Sequence, residues 1–189
     1  MFEGLGKYDL IMADPPWAFK HYSKKGHKKS AEGKYQTMSL DEIYAMPVSD
    51  LAAENCLLWL WATNPLIPQA IRCVEEWGFT YKSAGSWQKM SKTWTNGKED
   101  PKEHFGTGHL IRSSNEPYIL AVRGKPITAN NVRGGFRAAV REHSRKPEEG
   151  FVNAERLIPN ARRIELFSRQ SRPGWTTWGN QSTFFDNEG

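Results

Sequence analysis

The sequence is poor in cysteine, in clustered metal ligands and in long apolar runs, and each shortage removes a class of function. Cys56 and Cys73 are its two cysteines, and no histidine or further cysteine stands beside them at ligand spacing. They cannot build a metal box, and they read as buried apolar thiols of a reducing compartment. The longest apolar run, "CLLWLWA" at 56–62, is far too short to span a membrane. The opening "MFEGLGKYDL" lacks the basic, then apolar, then small-residue order of a signal peptide. A soluble, cytoplasmic protein without metal is therefore expected.

What is present suits one folded domain. The chain has 189 residues, 38% of them apolar and 25% charged, enough for a full α/β core. Eight tryptophans are many for this length, so some are expected to face outward or line a site. The net charge of +5 permits a polyanionic partner without requiring one.

Strand-like runs fall at 8–13, 56–62, 79–87, 117–123, 162–168 and 175–178, and helical patterns at 39–45, 65–77 and 148–158. Continuous apolar strands alternating with amphipathic helices predict a mostly parallel, doubly wound sheet covered on both faces. Ligands of such sheets bind at the carboxyl ends of the strands. Two segments interrupt the alternation. Residues 18–34 carry Lys20, Lys24, Lys25, Lys28, Lys29 and Lys34 among almost no apolar residues, and residues 88–115 are polar and glycine-rich. Loops this long within one domain are usually functional or disordered.

The first strand ends in "ADPPW", Ala13 to Trp17. Two readings compete for it: a stiff turn at a sheet edge, with Trp17 as an edge cover, or a site that holds something flat and polar. For the second, the natural ligand is a planar exocyclic amine such as that of adenine. Its lone pair is delocalised, so two fixed acceptors against its hydrogens help it attack an electrophilic carbon. The Asp14 carboxylate and the Pro15 carbonyl are the candidates, with Trp17 stacking on the base.

The wider constellation favours the site. With "KYQTMS" (34–39), "GHLIRSSNEPYILAVRG" (108–124), "HSRKPEE" (143–149) and "RRIELFSRQSRPGWTTWGNQ" (162–181), the chain resembles the S-adenosylmethionine-dependent adenine-N6 methyltransferases of the mRNA adenosine methyltransferase type, from Tyr8 to Gln181. The resemblance implies a Rossmann-like methyltransferase fold in which the catalytic strand precedes the cofactor strand, a permuted order. It implies that Asp14, Pro15, Pro16 and Trp17 form the catalytic motif, with Asp14 also near the cofactor, and that Tyr35 walls the target pocket. Lys146 would pair with the cofactor carboxylate, Phe167, Ser168 and Arg169 would line its methionine and ribose region, and Asn180 and Gln181 would bind the ribose. No G-x-G fingerprint follows "IELFSR", which excludes an ordinary dinucleotide reading.

Glu116 matches a carboxylate beside the target region. His109 and Arg112 are candidate base or phosphate contacts, and Lys24, Lys25, Lys28 and Lys29 candidate phosphate grips. Residues ahead of Asp14 are too few for the family's usual adenine-contacting segment, so "FEGLGK" or other residues must serve there. DNA is the leading substrate and RNA the alternative, with sequence preference drawn from the two long loops, a second copy or a partner subunit. Cytosine methylation is disfavoured by the tetrapeptide's tryptophan, and protein glutamine methylation by Asp14. A non-catalytic nucleic-acid-binding subunit is the reading from another class; such relatives tend to lose residues like Asp14, Lys146 and Asn180, all present here.

Overall fold

The computed structural model describes residues 1–17, 37–95, 102–108, 110–142 and 145–186. Lys20, Lys24, Lys25, Lys28, Lys29, Lys34, Tyr35 and His109 lie outside those residues.

Seven strands make one sheet: β1 (Tyr8–Ala13), β2 (Ala52–Trp61), β3 (Thr80–Met90), β4 (Asn115–Arg123), β5 (Gly135–Ala139), β6 (Arg163–Leu166) and β7 (Trp175–Trp178), in the order β5-β3-β4-β2-β1-β6-β7. The pairs β1/β2, β1/β6, β3/β5 and β6/β7 are parallel, while β4 runs antiparallel to both β2 and β3. The expected α/β, mostly parallel sheet with the permuted strand order is what the chain forms. β1 lies centrally, with β2 on one side and β6 on the other, so a crevice opens where the connections diverge at its carboxyl end.

Strict alternation along the central strands sends side chains to two cores. Ile11, Ala13, Leu58 and Leu60 join one core with Ile43 of helix α1 (Leu40–Tyr44) and with Ala70, Cys73 and Val74 of helix α2 (Ile67–Glu76). Leu10, Met12, Leu57, Trp59 and Trp61 join the other with Phe151 and Ala154 of helix α3 (Glu148–Leu157). A shift of one register would exchange the two sets, which is why so apolar a strand has a defined pairing. Helix α1 starts on a capping box, Ser39 Oγ accepting from the Glu42 amide at 3.2 Å and Glu42 accepting from the Ser39 amide at 2.8 Å, worth about 1 kcal/mol.

Several expectations shift. Six of the eight tryptophans are buried (Trp17, Trp59, Trp61, Trp77, Trp87 and Trp175), so the excess fills the cores rather than the surface. β3 continues to Met90 and β4 begins at Asn115, leaving 91–114 as the connection instead of 88–115. That connection is partly ordered by bridges between Met90 and Glu103 and between Gly106 and Ser113. The edge strand β5 has no apolar run and escaped the pattern. Among the described residues no helix is long and apolar enough to cross a membrane.

Candidate active site

The crevice is built from three strand ends and one helix start. β1 delivers Asp14, whose amide donates to the Leu166 carbonyl at 3.4 Å. The two prolines then turn the chain sharply, and the Trp17 amide closes the turn on the Pro15 carbonyl at 2.8 Å. One lone pair of that carbonyl is thus used internally and one remains for a ligand.

Trp17 itself does not offer its face as expected. It is 6% exposed, packs in the core, and donates its indole N–H to the Trp61 carbonyl at 3.2 Å. In this structure it is a core residue behind the Asp14 turn, held by burial and one hydrogen bond, rather than a stacking platform.

β4 supplies Glu116, and the segment entering α3 supplies Lys146, immediately before Pro147 at the helix start. Lys146 is 9% exposed and its Nζ lies 2.5 Å from Asp14 Oδ2 and 2.9 Å from Glu116 Oε1. Its ammonium also stands 5.6 Å from the Trp61 ring. Lys89, at the end of β3, reaches the other Glu116 oxygen at 2.7 Å. The structure therefore brings Asp14, Glu116 and Lys146 together, and the Lys146 ammonium, expected to pair with a cofactor carboxylate, is here shared by two protein carboxylates. Lys89 went unnoticed in the sequence because a lysine in a polar loop carries no signal.

The charges in this cluster are interdependent. Burial pushes the Asp14 carboxyl up and Glu116 adds to that, while Lys146 opposes both. Asp14 keeps 23% of its side chain exposed, so a ligand can reach it. Burial would also raise Glu116, but Lys146 and Lys89 overcome it and hold this carboxyl at about 2. Burial works against the Lys146 ammonium, and the two carboxylates more than compensate, keeping it charged.

The other side of the cleft begins where β6 ends. Phe167 takes a left-handed backbone, φ 63°, uncommon for a bulky residue and costing on the order of 1–2 kcal/mol. The turn brings its ring to 5.8 Å from Trp178. Gly179 makes this possible: a Cβ there would lie 3.0 Å from the Ser168 carbonyl and 3.1 Å from Phe167 Cα. Its small size thus serves backbone packing of β7 against the turn. Phe2 packs on Trp178 at 4.9 Å, which sets the short N-terminal stretch on this same side. Arg169 stacks over Phe184 and Phe185 at 4.7 Å each. Asn180 is exposed and Gln181 half-buried just beyond β7, and Arg112 is exposed in the 91–114 connection.

Glu165, also overlooked in the sequence, is the third carboxyl here. Burial raises it to about 7, with Ser168 and Arg172 pulling it down and Asp14 pushing it up. Ser168 Oγ lies 2.7 Å from the Gln170 carbonyl and 3.0 Å from Glu165 Oε2. A hydroxyl has one proton, so Ser168 donates to one of these two oxygens at a time, and its bond to Glu165 opposes the effect of burial.

Asp14, Lys146, Glu165, Phe167, Arg169 and Gln170 line a cleft that encloses about 20 Å³, room for a water molecule. A larger hollow of about 550 Å³ lies beside Lys7, Tyr8, Arg163 and Trp175 at the opposite strand ends and includes none of these residues. The cleft's donor set carries both charges and an aromatic wall. That chemistry suits a ligand with an ammonium, a carboxylate and a flat heterocycle, as S-adenosylmethionine has.

The model of the MT-A70 family matches residues 8–181, Asp14 through Gln181 included. The chain belongs to the MT-A70 family. It is 31% identical over 192 residues to the type II methyltransferase M.MunI of a Mycoplasma species, covering 92% of this chain and 77% of that protein. It is 33% identical over 180 residues to an Arabidopsis thaliana N(6)-adenosine-methyltransferase MT-A70-like protein, covering 94% of this chain and 24% of that one. The human N(6)-adenosine-methyltransferase catalytic subunit METTL3 is 32% identical over 181 residues, with 94% and 28% covered. The chain thus spans about a quarter of the eukaryotic relatives and most of the Mycoplasma one. As an MT-A70 methyltransferase it uses S-adenosylmethionine as methyl donor.

Proposed function

We propose that this MT-A70 domain transfers a methyl group to the exocyclic amine of adenine in DNA, acting in the cytoplasm. The observation that carries the reading is the Asp14 carboxylate at the carboxyl end of β1, pinned by Lys146 at 2.5 Å in a cleft of mixed charge. The match to a type II methyltransferase, 77% of which is covered, supports DNA. The net charge of +5 suits a phosphate backbone.

Held at this site, S-adenosylmethionine would supply an electrophilic methyl carbon on a sulfonium. Lys146 would offer its ammonium to the cofactor carboxylate, with Glu116 holding it on the other side. Phe167 and Arg169 wall the methionine and ribose region, and Asn180 and Gln181 present amides to the ribose hydroxyls. Asp14, relieved of part of its pairing, accepts a hydrogen bond from the adenine amine, and the spare lone pair of the Pro15 carbonyl takes the other. As the N6 lone pair formed the new bond to the methyl carbon, the sulfur–methyl bond would break with its electron pair left on sulfur, and N6 would become positive and pass one proton to the Asp14 carboxylate. Both acceptors strengthen in step with that charge, which is stabilisation directed at the transition state. A carboxyl raised by burial is also the better proton acceptor.

Incubation with labelled cofactor and separate DNA and RNA, followed by nucleoside analysis, tests this reading. Label in N6-methyldeoxyadenosine supports it; label confined to RNA nucleosides moves the assignment to RNA, and label in cytosine or protein refutes it.

A further inference from the structure

Two adjacent aliphatic side chains on the connection between β3 and β4 are left bare among the described residues. Leu110 is 99% exposed and Ile111 81% exposed, and Phe105 of the same connection is exposed too. The aliphatic pair is carried on a narrow, braced stalk. The Gly106 amide donates to the Ser113 carbonyl at 2.8 Å and the Ser113 amide donates back at 3.2 Å. A side chain at Gly108 would strike the Ile111 carbonyl at 1.7 Å, so the tip closes only around glycine. At the base, the His104 amide donates to the Lys89 carbonyl at 2.8 Å, and Asn64 Nδ2 donates to Asn115 Oδ1 at 2.9 Å. The stalk therefore rises from the strand ends that hold Lys89 and Glu116. Five extended residues from Glu116 to Ile111 reach about 17 Å at most, within the footprint of a duplex seated over Asp14.

We infer that Leu110 and Ile111 form an apolar wedge that enters the base stack of double-stranded DNA and fills the gap left when the target adenine turns out toward Asp14. A base inside a duplex cannot present its amine to a recessed carboxylate, so it must leave the stack. Apolar side chains inserted between base steps are a known physical means of opening a stack and holding it open. The flanking Arg112, exposed beside them, matches the phosphates that border such an opening. The area argues against a docking face for protein: two side chains offer a few hundred Å² at most, under half of the roughly 800 Å² per partner that a stable interface needs. The inference rests on the DNA reading above.

The test uses the full chain and the Leu110→Ala/Ile111→Ala double variant, with Leu110→Met as the conservative control. Each is assayed on a duplex that the wild type methylates, on the same duplex with the target adenine mispaired, and on the single strand. Emission from 2-aminopurine at the target position reports extrusion directly. The wedge predicts at least a tenfold lower kcat/KM for the double variant on the paired duplex, a loss under threefold on the mispaired duplex and single strand, and a diminished 2-aminopurine signal. Leu110→Met should stay near wild type. Equal loss on all three substrates, no loss on the paired duplex, or a change in oligomeric state by light scattering would overturn it, the last assigning the pair to contact with a second copy. Wild-type protein that methylates no DNA would overturn the DNA reading itself, an outcome distinct from an active wild type with an unimpaired variant.

Discussion

Lys146 Nζ meets Asp14 Oδ2 at 2.5 Å, although 132 positions separate the two in the chain. The same ammonium lies 2.9 Å from Glu116, so one buried cation separates two half-buried carboxylates. Lys146→Met leaves both acids facing each other, and removing one partner from such a buried cluster costs about 3–5 kcal/mol. Urea unfolding at pH 7 should show that loss. Adding Asp14→Asn should restore part of it, because one of the two opposed charges disappears. A loss below about 1 kcal/mol would mean that the pairing is incidental.

Glu165 gives the fold a pH dependence of definite sign. Its folded pKa of about 7 lies above its ordinary 4.5, so the folded state binds the proton more tightly. That stabilisation is complete below about pH 4.5 and is lost as pH rises through about 7, to an extent on the order of 3 kcal/mol at most. Thermal melts of Glu165→Gln should show a flatter stability profile between pH 5 and 8 than the parent. Glu116 acts in the opposite sense: held at about 2, it stabilises above its ordinary value and that contribution is lost as pH falls toward 2. Identical profiles for Glu165→Gln and the parent would contradict the assignment of Glu165.

Trp17 is a core residue rather than a platform. Trp17→Phe keeps most of the volume and drops the hydrogen bond to the Trp61 carbonyl, costing about 1 kcal/mol, whereas Trp17→Ala empties a core position at about 3–5 kcal/mol. Denaturant midpoints should fall in that order. Unchanged midpoints with a raised KM for nucleic acid would instead mark Trp17 as a base-stacking surface.

At Gly179, a methyl group presses on the Ser168 carbonyl at 3.0 Å and must shift the Phe167–Ser168 turn. Gly179→Ala is expected to weaken S-adenosylmethionine binding by about tenfold, roughly 1.4 kcal/mol, as measured by calorimetry. Cofactor affinity equal to the parent's would show that this turn does not shape the cofactor site.

Much of the fold was legible because β1 and β2 carry apolar runs that suit strands buried on both faces, and because Ser39 and Pro147 mark helix starts. β5, "GFRAA", was not, because its pairing with β3 rather than its own pattern makes it a strand. At the site, Asp14 was named from the strand end it closes, and Lys146 and Glu116 through the family resemblance, since no local spacing connects residues so far apart. Their mutual neutralisation was invisible: it depends on the register that sets β4 beside β2. Trp17 was misjudged for a related reason. A tryptophan after two prolines is equally able to face a ligand or a core, and the Trp61 carbonyl decides which.

The central claim is that the Asp14 carboxylate promotes attack by the adenine amine. Single-turnover methyl transfer by Asp14→Asn, measured beside its affinity for S-adenosylmethionine, tests it most directly. Asparagine keeps the shape but removes the charge that strengthens in the transition state, so the rate should fall by about a thousandfold or more while cofactor affinity changes less than tenfold. A rate within a few-fold of the parent's would contradict the account.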